Sequence, residues 1–258
     1  MNQILRRELD YFLSGLSFYT RTPCPRWVVY QPENLNKSRK YLPLIGLLVG
    51  MMGALVFWLS QLVLPFTVSV LLSMIATIYL TGAFHEDGFA DSCDGFGGGW
   101  EKAQILTIMK DSRVGTYAVV GLILILALKF TVLLALAEQS AGTVMVALLG
   151  GHTLSRLMAS LLMQRYDYVS QRDTSKSQHV VSLRLSAGEV CLSIVPVVLL
   201  LCVVWRIDFL VATLVMCLTT LLLGQYFQRR IGGYTGDCLG AVQQISEVMF
   251  YLSILVEI

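Results

Sequence analysis

Three aspartates stand at regular spacing just after an uncharged apolar stretch of the chain. They are Asp87, Asp91 and Asp94, at positions i, i+4 and i+7. On a helix these positions differ by at most about 60° around the axis, so the three carboxylates share one stripe. Such carboxylates repel one another unless a cation lies between them, and Mg²⁺ takes oxygen ligands of this kind. The stripe therefore predicts a Mg²⁺ site for phosphate chemistry, with a solvated acidic helix or loop as the alternative.

A second polar group, Lys110, Asp111, Ser112 and Arg113, stands where a further apolar segment begins. Backbone N–H groups at the start of a helix, together with lysine and arginine, form a site for anions. The segment therefore predicts substrate binding through a phosphate. The alternative is that these charges only flank a membrane span.

A third motif places Asp237 after a glycine-rich turn, Gly232–Gly236, near the other end of the chain. We expect Asp237 to complete the carboxylate cluster. Glu247 lies about 15 Å further along the same helix and is expected to be paired inside the protein rather than bound to the ion. His85 and any carboxylate that does not bind the metal are candidates for the catalytic base, and the residues do not decide between them.

Two cations fall inside otherwise apolar segments, where a charge is costly and usually functional. Arg156 follows Ser155 and shares its helical stretch with His152. We expect Ser155 and Arg156 to bind substrate phosphate, with an Arg156 side chain that reaches the membrane surface as the alternative. Lys129 lies deeper in its segment. It either contacts substrate or forms an ion pair in the core, and the sequence favours neither role.

These groups need a scaffold, and the composition predicts one that lies in a membrane. The 258 residues are 55% hydrophobic and only 14% charged, with a mean hydropathy of +0.67. A disordered or ordinary soluble protein is thereby excluded, and the net charge of +2 does not indicate nucleic-acid binding. We predict an all-α, polytopic helical bundle forming a single domain over 1–258. Its seven predicted spans are Tyr41–Leu64, Pro65–Phe84, Val114–Ala137, Ala141–Met163, Ala187–Trp205, Ile207–Phe227 and Leu239–Ile258.

The cations predict how the bundle is oriented. Sixteen of the 19 lysines and arginines fall in the regions 1–40, 85–113, 164–186 and 228–238, which seven spans place on one side. Positive loops face the cytoplasm, so we predict a multi-pass protein whose catalytic loops, 85–113, 164–186 and 228–238, are cytoplasmic. The last span is the weakest, because it contains Gln243, Gln244 and Glu247, and an interfacial or partly buried helix is its alternative.

The first 40 residues carry no pattern typical of a signal peptide. Apolar residues recur at helical spacing beside Arg6 and Arg7, which predicts an amphipathic helix on the cytoplasmic face of the membrane. We expect Pro23 and Pro25 to end it, and Tyr30–Lys40 to form a loop. The apolar residues are Leu5, Leu9, Phe12, Leu13 and Leu16.

Three long motifs resemble the adenosylcobinamide-GDP ribazoletransferase, or cobalamin synthase, family. They are Gly82–Phe96, Lys110–Tyr117 and Gly232–Ala241, and the segments Arg21–Pro25 and Leu42–Gly46 also fit. The motifs are specific, and the resemblance spans most of the chain, with the motifs in the family's order and at fitting spacing.

The resemblance implies a Mg²⁺-dependent enzyme of the bacterial cytoplasmic membrane. It would join adenosylcobinamide-GDP to α-ribazole or its 5′-phosphate, release GMP, and give adenosylcobalamin or its 5′-phosphate. In that reaction Asp87, Asp91 and Asp94 would hold Mg²⁺ against the diphosphate, with Asp237 or Asp111 as an additional ligand. Lys110, Arg113 and Arg156 would neutralise the non-bridging oxygens.

Two rival functions are weighed against this one. A CDP-alcohol phosphotransferase would release CMP through analogous chemistry, but here Asp91 follows Ala90 where that family's motif has an arginine. A transporter would need polar groups across the whole membrane, whereas those of this chain gather at one face. The sequence leaves open whether the protein forms a homo-oligomer.

Overall fold

A computed structural model describes residues 3–28, 32–169, 184–204 and 206–256. Within these ranges all regular elements are helical, apart from an isolated parallel bridge between Tyr168 and Tyr234. The predicted all-α fold is therefore confirmed. Most of the predicted loop 164–186, and the span ends at Trp205 and Ile258, lie outside the described residues.

The described residues form eleven α-helices, numbered here in chain order. They are α1 (Gln3–Tyr19), α2 (Pro32–Ser38), α3 (Leu42–Ser60), α4 (Phe66–Thr81), α5 (Phe84–Gly98), α6 (Lys102–Ile108), α7 (Thr116–Gln139), α8 (Ala141–Arg165), α9 (Ala187–Val204), α10 (Ile207–Ile231) and α11 (Gly236–Leu255).

Among the described residues, six helical stretches are long and apolar enough to cross a membrane, and there are seven if the bent pair α4–α5 counts as one span. The predicted multi-pass bundle is thereby confirmed. α8 and α11 are mostly buried inside the bundle, whereas α7 and α9 expose most of their apolar side chains, as lipid-facing helices do. The segment with the weakest span signal, α11, thus lies at the centre of the bundle, where its polar side chains find partners.

The second predicted span, Pro65–Phe84, is wrong at its end, because α4 stops at Thr81. Gly82 and Ala83 both have left-handed backbones, with φ of 66° and 58°, and α5 leaves α4 at 87°. A left-handed conformation is easy for glycine and strained for alanine. The break separates the aspartate stripe from the span and gives it a helix of its own. That helix continues without interruption to Gly98, despite its glycines.

The predicted amphipathic N-terminal helix is confirmed as α1, but the predicted loop Tyr30–Lys40 is wrong. This segment contains α2, followed by a 3₁₀ turn over Arg39–Tyr41. Helix α2 begins with an acid, Glu33, and ends with a base, Lys37, which is the charge order that stabilises a helix. Lys40 pairs with Glu8 at 2.6 Å and thereby ties α1 to the start of the bundle.

Candidate active site

The aspartate stripe and the cationic segment, which are separated along the chain, meet in one cavity of about 240 Å³. We name it the acidic cavity. The stripe forms one wall, and the loop between α6 and α7 forms the other. The residues that line the acidic cavity are Asp87, Ala90, Asp91, Asp94, Met109, Lys110, Asp111, Ser112, Arg113, Val114 and Ala118.

Asp237 joins this cluster because α5 and α11 approach closely. A side chain at Gly88 would lie 3.1 Å from the Cα of Asp237, and one at Gly240 would lie 2.8 Å from the carbonyl oxygen of His85. The two glycines therefore allow a contact between helices that larger residues would prevent. The negative charge of Asp91 interacts with the charges of Asp237, Asp87 and Asp94. Asp237 therefore lies near the stripe, and its role in completing the carboxylate cluster remains a prediction.

The three aspartates of the stripe have different surroundings. Asp87 is exposed and Asp91 is half-buried, whereas Asp94 is buried. Asp94 accepts hydrogen bonds from the backbone N–H of Gly115, at 2.6 Å, and of Ala118, at 2.9 Å. Asp94 therefore also satisfies the free N–H groups at the start of α7 and fixes that helix against α5.

The cationic wall of the cavity is open to solvent. Arg113 is 88% exposed and forms an ion pair with Asp111 at 2.6 Å. Because its oxygens accept hydrogen bonds from Arg113, the pKa of Asp111 falls to about 2. Lys110 is also exposed, and its charge acts on Asp237. Arg113 can therefore exchange Asp111 for an anionic ligand without first leaving a buried position.

The donors in this cavity have the chemistry that Mg²⁺ requires, because they are carboxylate oxygens that repel one another. Their arrangement is looser than a coordination shell. Among the described residues, no three His, Cys, Asp or Glu side chains converge closely enough to hold a metal ion. Binding a cation would therefore require the exposed Asp87 and half-buried Asp91 side chains to rotate towards it. The Mg²⁺ site predicted from the spacing remains a prediction.

The two cations inside the spans lie in a different place, around a buried carboxylate. Lys129 of α7 forms an ion pair with Glu247 of α11, and Nδ1 of His152 lies 3.1 Å from Oε2 of Glu247. The Arg156 guanidinium donates to the carbonyl oxygen of His152 at 3.0 Å. Of the two roles open to Lys129, the structure thus shows the ion pair in the core. Glu247 is paired inside the bundle, as expected.

Hydrogen bonds extend this cluster towards α5, the helix that carries the aspartate stripe. Gln243 donates to Ser155 at 3.1 Å, and its neighbour Gln244 donates to Glu86 of α5 at 3.0 Å. Tyr251 donates to Glu247 at 3.0 Å. The roles of Gln243, Gln244 and Tyr251 were missed in the sequence, where the glutamines only weakened the span signal. We call this set the buried ionic network; its members are Glu86, Lys129, His152, Ser155, Arg156, Gln243, Gln244, Glu247 and Tyr251.

His85 does not line the acidic cavity. It is buried on the other face of α5 and lines a second, mostly apolar cavity of about 340 Å³, together with Arg156. Of the predicted substrate-binding residues, Lys110, Asp111, Ser112 and Arg113 are thus brought together, while Ser155, Arg156 and Lys129 lie deeper. No sequence signal pointed to this second cavity.

The fold and this site define a class: a multi-pass helical membrane protein with an acidic and cationic cavity at one end of its bundle. The chain belongs to the CobS family, cobalamin-5-phosphate synthase, whose model matches residues 11–255. The resemblance of its three motifs to this family is thereby confirmed.

Relatives of known name agree with the family. The chain is 47% identical over 249 residues to the adenosylcobinamide-GDP ribazoletransferase of Shewanella frigidimarina, covering 96% of this chain and 95% of the relative. It is 45% identical over 263 residues to the protein of the same name from Shewanella amazonensis, covering 97% and 96%. No solved structure matches the chain significantly.

Proposed function

We propose that this protein joins adenosylcobinamide-GDP to α-ribazole or its 5′-phosphate and releases GMP. The observation that carries the proposal is the acidic cavity, in which the aspartates of α5 face the cationic loop before α7. Carboxylates that can hold a cation, placed opposite lysine and arginine, form the arrangement that phosphoryl transfer from a diphosphate requires. Family membership and the names of the relatives support the same reaction.

The reaction forms one P–O bond and breaks another. The acceptor hydroxyl oxygen bonds to the corrinoid-side phosphorus of the diphosphate, and the bond from that phosphorus to the bridging oxygen breaks. GMP leaves with the electron pair of that bond, and the hydroxyl proton passes to a base. Asp237, beside the acidic cavity, and His85, in the second cavity, are the two candidates for this base.

The chain positions the diphosphate from two sides. Lys110 and Arg113 would bind its non-bridging oxygens, with Arg113 released from Asp111. Asp87, Asp91 and Asp94 would hold Mg²⁺, with Asp237 as a neighbouring carboxylate. Bound Mg²⁺ would neutralise charge on the diphosphate. Because Asp94 also fixes the start of α7, it couples the position of the metal site to that of the cationic loop.

We propose that the protein lies in the bacterial inner membrane and that the site faces the cytoplasm. The reason is that most lysines and arginines fall in the loops on the side of the membrane that carries the acidic cavity. A Ser112→Cys variant in a background without the natural cysteines tests this orientation. In inside-out vesicles a membrane-impermeant thiol reagent should label Cys at this position. Labelling only in right-side-out vesicles would place the site on the opposite face.

A direct assay tests the reaction. The purified protein in lipid vesicles is incubated with adenosylcobinamide-GDP, α-ribazole and Mg²⁺, and GMP and the complete corrinoid are measured. We expect both products in equal amounts, loss of both with excess EDTA, and recovery on adding Mg²⁺. Full turnover in excess EDTA would refute the dependence on Mg²⁺. Release of CMP from a CDP-alcohol, without release of GMP from adenosylcobinamide-GDP, would refute the proposed substrate.

A further inference from the structure

The second cavity has aromatic walls, and we call it the aromatic cavity. Tyr168 and Tyr234 meet edge to face with ring centroids 5.6 Å apart, and Phe18 and Phe84 do so at 5.5 Å. All four rings line the cavity, whose walls are mostly apolar. Flat, rigid walls of this kind favour a flat aromatic ligand over a polar or highly flexible one.

A few polar side chains stand in this apolar wall. Arg156 is 2% exposed, and its Nε has no hydrogen-bond partner among the described residues. Arg39 and His85 are also buried, at 4% and 6% exposure, and line the same cavity. A buried donor without a partner is costly, so a ligand that supplies an acceptor would be stabilised there. Apolar walls with a few buried polar groups are typical of small-molecule sites.

The aromatic cavity lies next to the acidic cavity, with the start of α11 between them. Gly236 lines the aromatic cavity, and the next residue, Asp237, interacts with the aspartates of the acidic cavity. A Cβ built on Gly236 would meet no atom within 4 Å. A ligand in the aromatic cavity could therefore extend past Gly236 towards Asp237 and the diphosphate.

We propose that the aromatic cavity binds the nucleoside acceptor, with its base between the aromatic rings and its ribose directed past Gly236. This inference rests on the proposed function. The cavity, at about 340 Å³, lies at the lower end of the range for small-molecule sites and suits a bicyclic base. A corrin macrocycle with its side chains is several times larger, so the corrinoid would approach the diphosphate from outside this cavity.

Replacing one wall of the cavity tests the assignment. Tyr168→Leu removes a ring from the aromatic cavity, and Tyr226→Leu is the matched control, because Tyr226 is exposed and lines neither cavity. We expect Tyr168→Leu to raise the KM for α-ribazole about 3- to 10-fold, the value of one aromatic contact. The KM for adenosylcobinamide-GDP should stay unchanged, and the control should change neither constant.

A second pair of variants tests the passage between the cavities. Gly236→Leu would fill the open space at the start of α11, whereas Gly188→Leu adds the same side chain at another helix start where a Cβ also meets nothing within 4 Å. We expect Gly236→Leu to lower kcat/KM for α-ribazole at least tenfold, with the binding of adenosylcobinamide-GDP retained. Gly188→Leu should behave like the parent protein.

Direct binding separates this inference from the proposed function. Equilibrium dialysis with radiolabelled α-ribazole, on protein in lipid vesicles, should show binding that Tyr168→Leu weakens and Asp91→Asn preserves. If the parent protein makes GMP but both cavity variants change only the corrinoid constants, the inference is overturned while the function stands. Lipid retained in the cavity, with α-ribazole binding equal in parent and variants, would also overturn it. If the parent makes no GMP, the proposed function itself fails.

Discussion

The acidic cavity and the buried ionic network both gather carboxylates, but they neutralise them differently. In the network, Glu247 is fully buried and is paired with Lys129 and His152 from two other helices. In the acidic cavity, Asp87 and Asp91 are partly open to solvent and interact with further aspartates, while Arg113 is paired with Asp111 on the opposite wall.

This difference follows from solvation. A charge surrounded by lipid and protein must be paired within the chain, because leaving it alone costs several kcal/mol. A charge near water can remain uncompensated until a ligand supplies the opposite charge. Incomplete charge compensation at an accessible position therefore makes the acidic cavity a candidate ligand site, whereas the ion pairs of Glu247 stabilise the bundle.

The largest effect is expected from Asp91→Asn, which removes a charge from the acidic cavity. Turnover should fall about 100- to 1,000-fold, because the site loses electrostatic stabilisation of the transition state. The melting temperature in detergent should not fall, since a source of repulsion is removed. Asp167→Asn is the matched control, because the Asp167 side chain is 87% exposed and forms a surface ion pair with Arg184. Normal GMP release by Asp91→Asn would contradict the role of the stripe.

Removing a charge from the buried ionic network should instead lower the stability of the protein. Lys129→Met leaves Glu247 without its lysine and should lower the free energy of unfolding by about 3 kcal/mol. Adding Glu247→Gln to this variant should recover part of the loss, because the uncompensated charge is gone. Thermal unfolding of the parent, both single variants and the double variant measures this coupling. Additive losses in the double variant would show that the two side chains do not stabilise the bundle as a pair.

A smaller, substrate-selective effect is expected from Arg113→Ala. The KM for adenosylcobinamide-GDP should rise about 10- to 100-fold, the value of a hydrogen bond to a charged group, with little change for α-ribazole. Arg184→Ala is the matched control, since Arg184 also forms an exposed ion pair with an aspartate. Equal losses for both substrates would indicate a defect in folding instead.

The smallest effect concerns pH. Since Arg113 holds the pKa of Asp111 at about 2, this carboxylate is charged at all pH values well above 2, and its ion pair is lost only as pH falls through that value. The Asp111→Asn variant should therefore keep the shape of the parent's pH–activity profile between about pH 5 and 8. An acid limb of the parent profile in this range that disappears in the variant would contradict the assignment.

Much of this arrangement could be predicted locally. The spacing of Asp87, Asp91 and Asp94 predicted a shared helix face, and long apolar runs predicted the bundle, because helical periodicity and bilayer thickness act directly on the sequence. The break after Thr81 could not be predicted, since Ala83 is an unusual residue for a left-handed backbone and tertiary packing imposes it. Helix α2 was missed because its polar residues also suit a loop.

The sequence by itself determined that the chain is a helical membrane protein of the cobalamin-5-phosphate synthase family, with its aspartates on one helix stripe. Only the tertiary structure decided which charges face solvent and which are paired inside. Lys110 and Lys129 are the same residue type, yet one lines the acidic cavity and the other neutralises Glu247 in the core. Their different roles depend on packing between helices distant in sequence, which sets both the partner and the solvation of each charge.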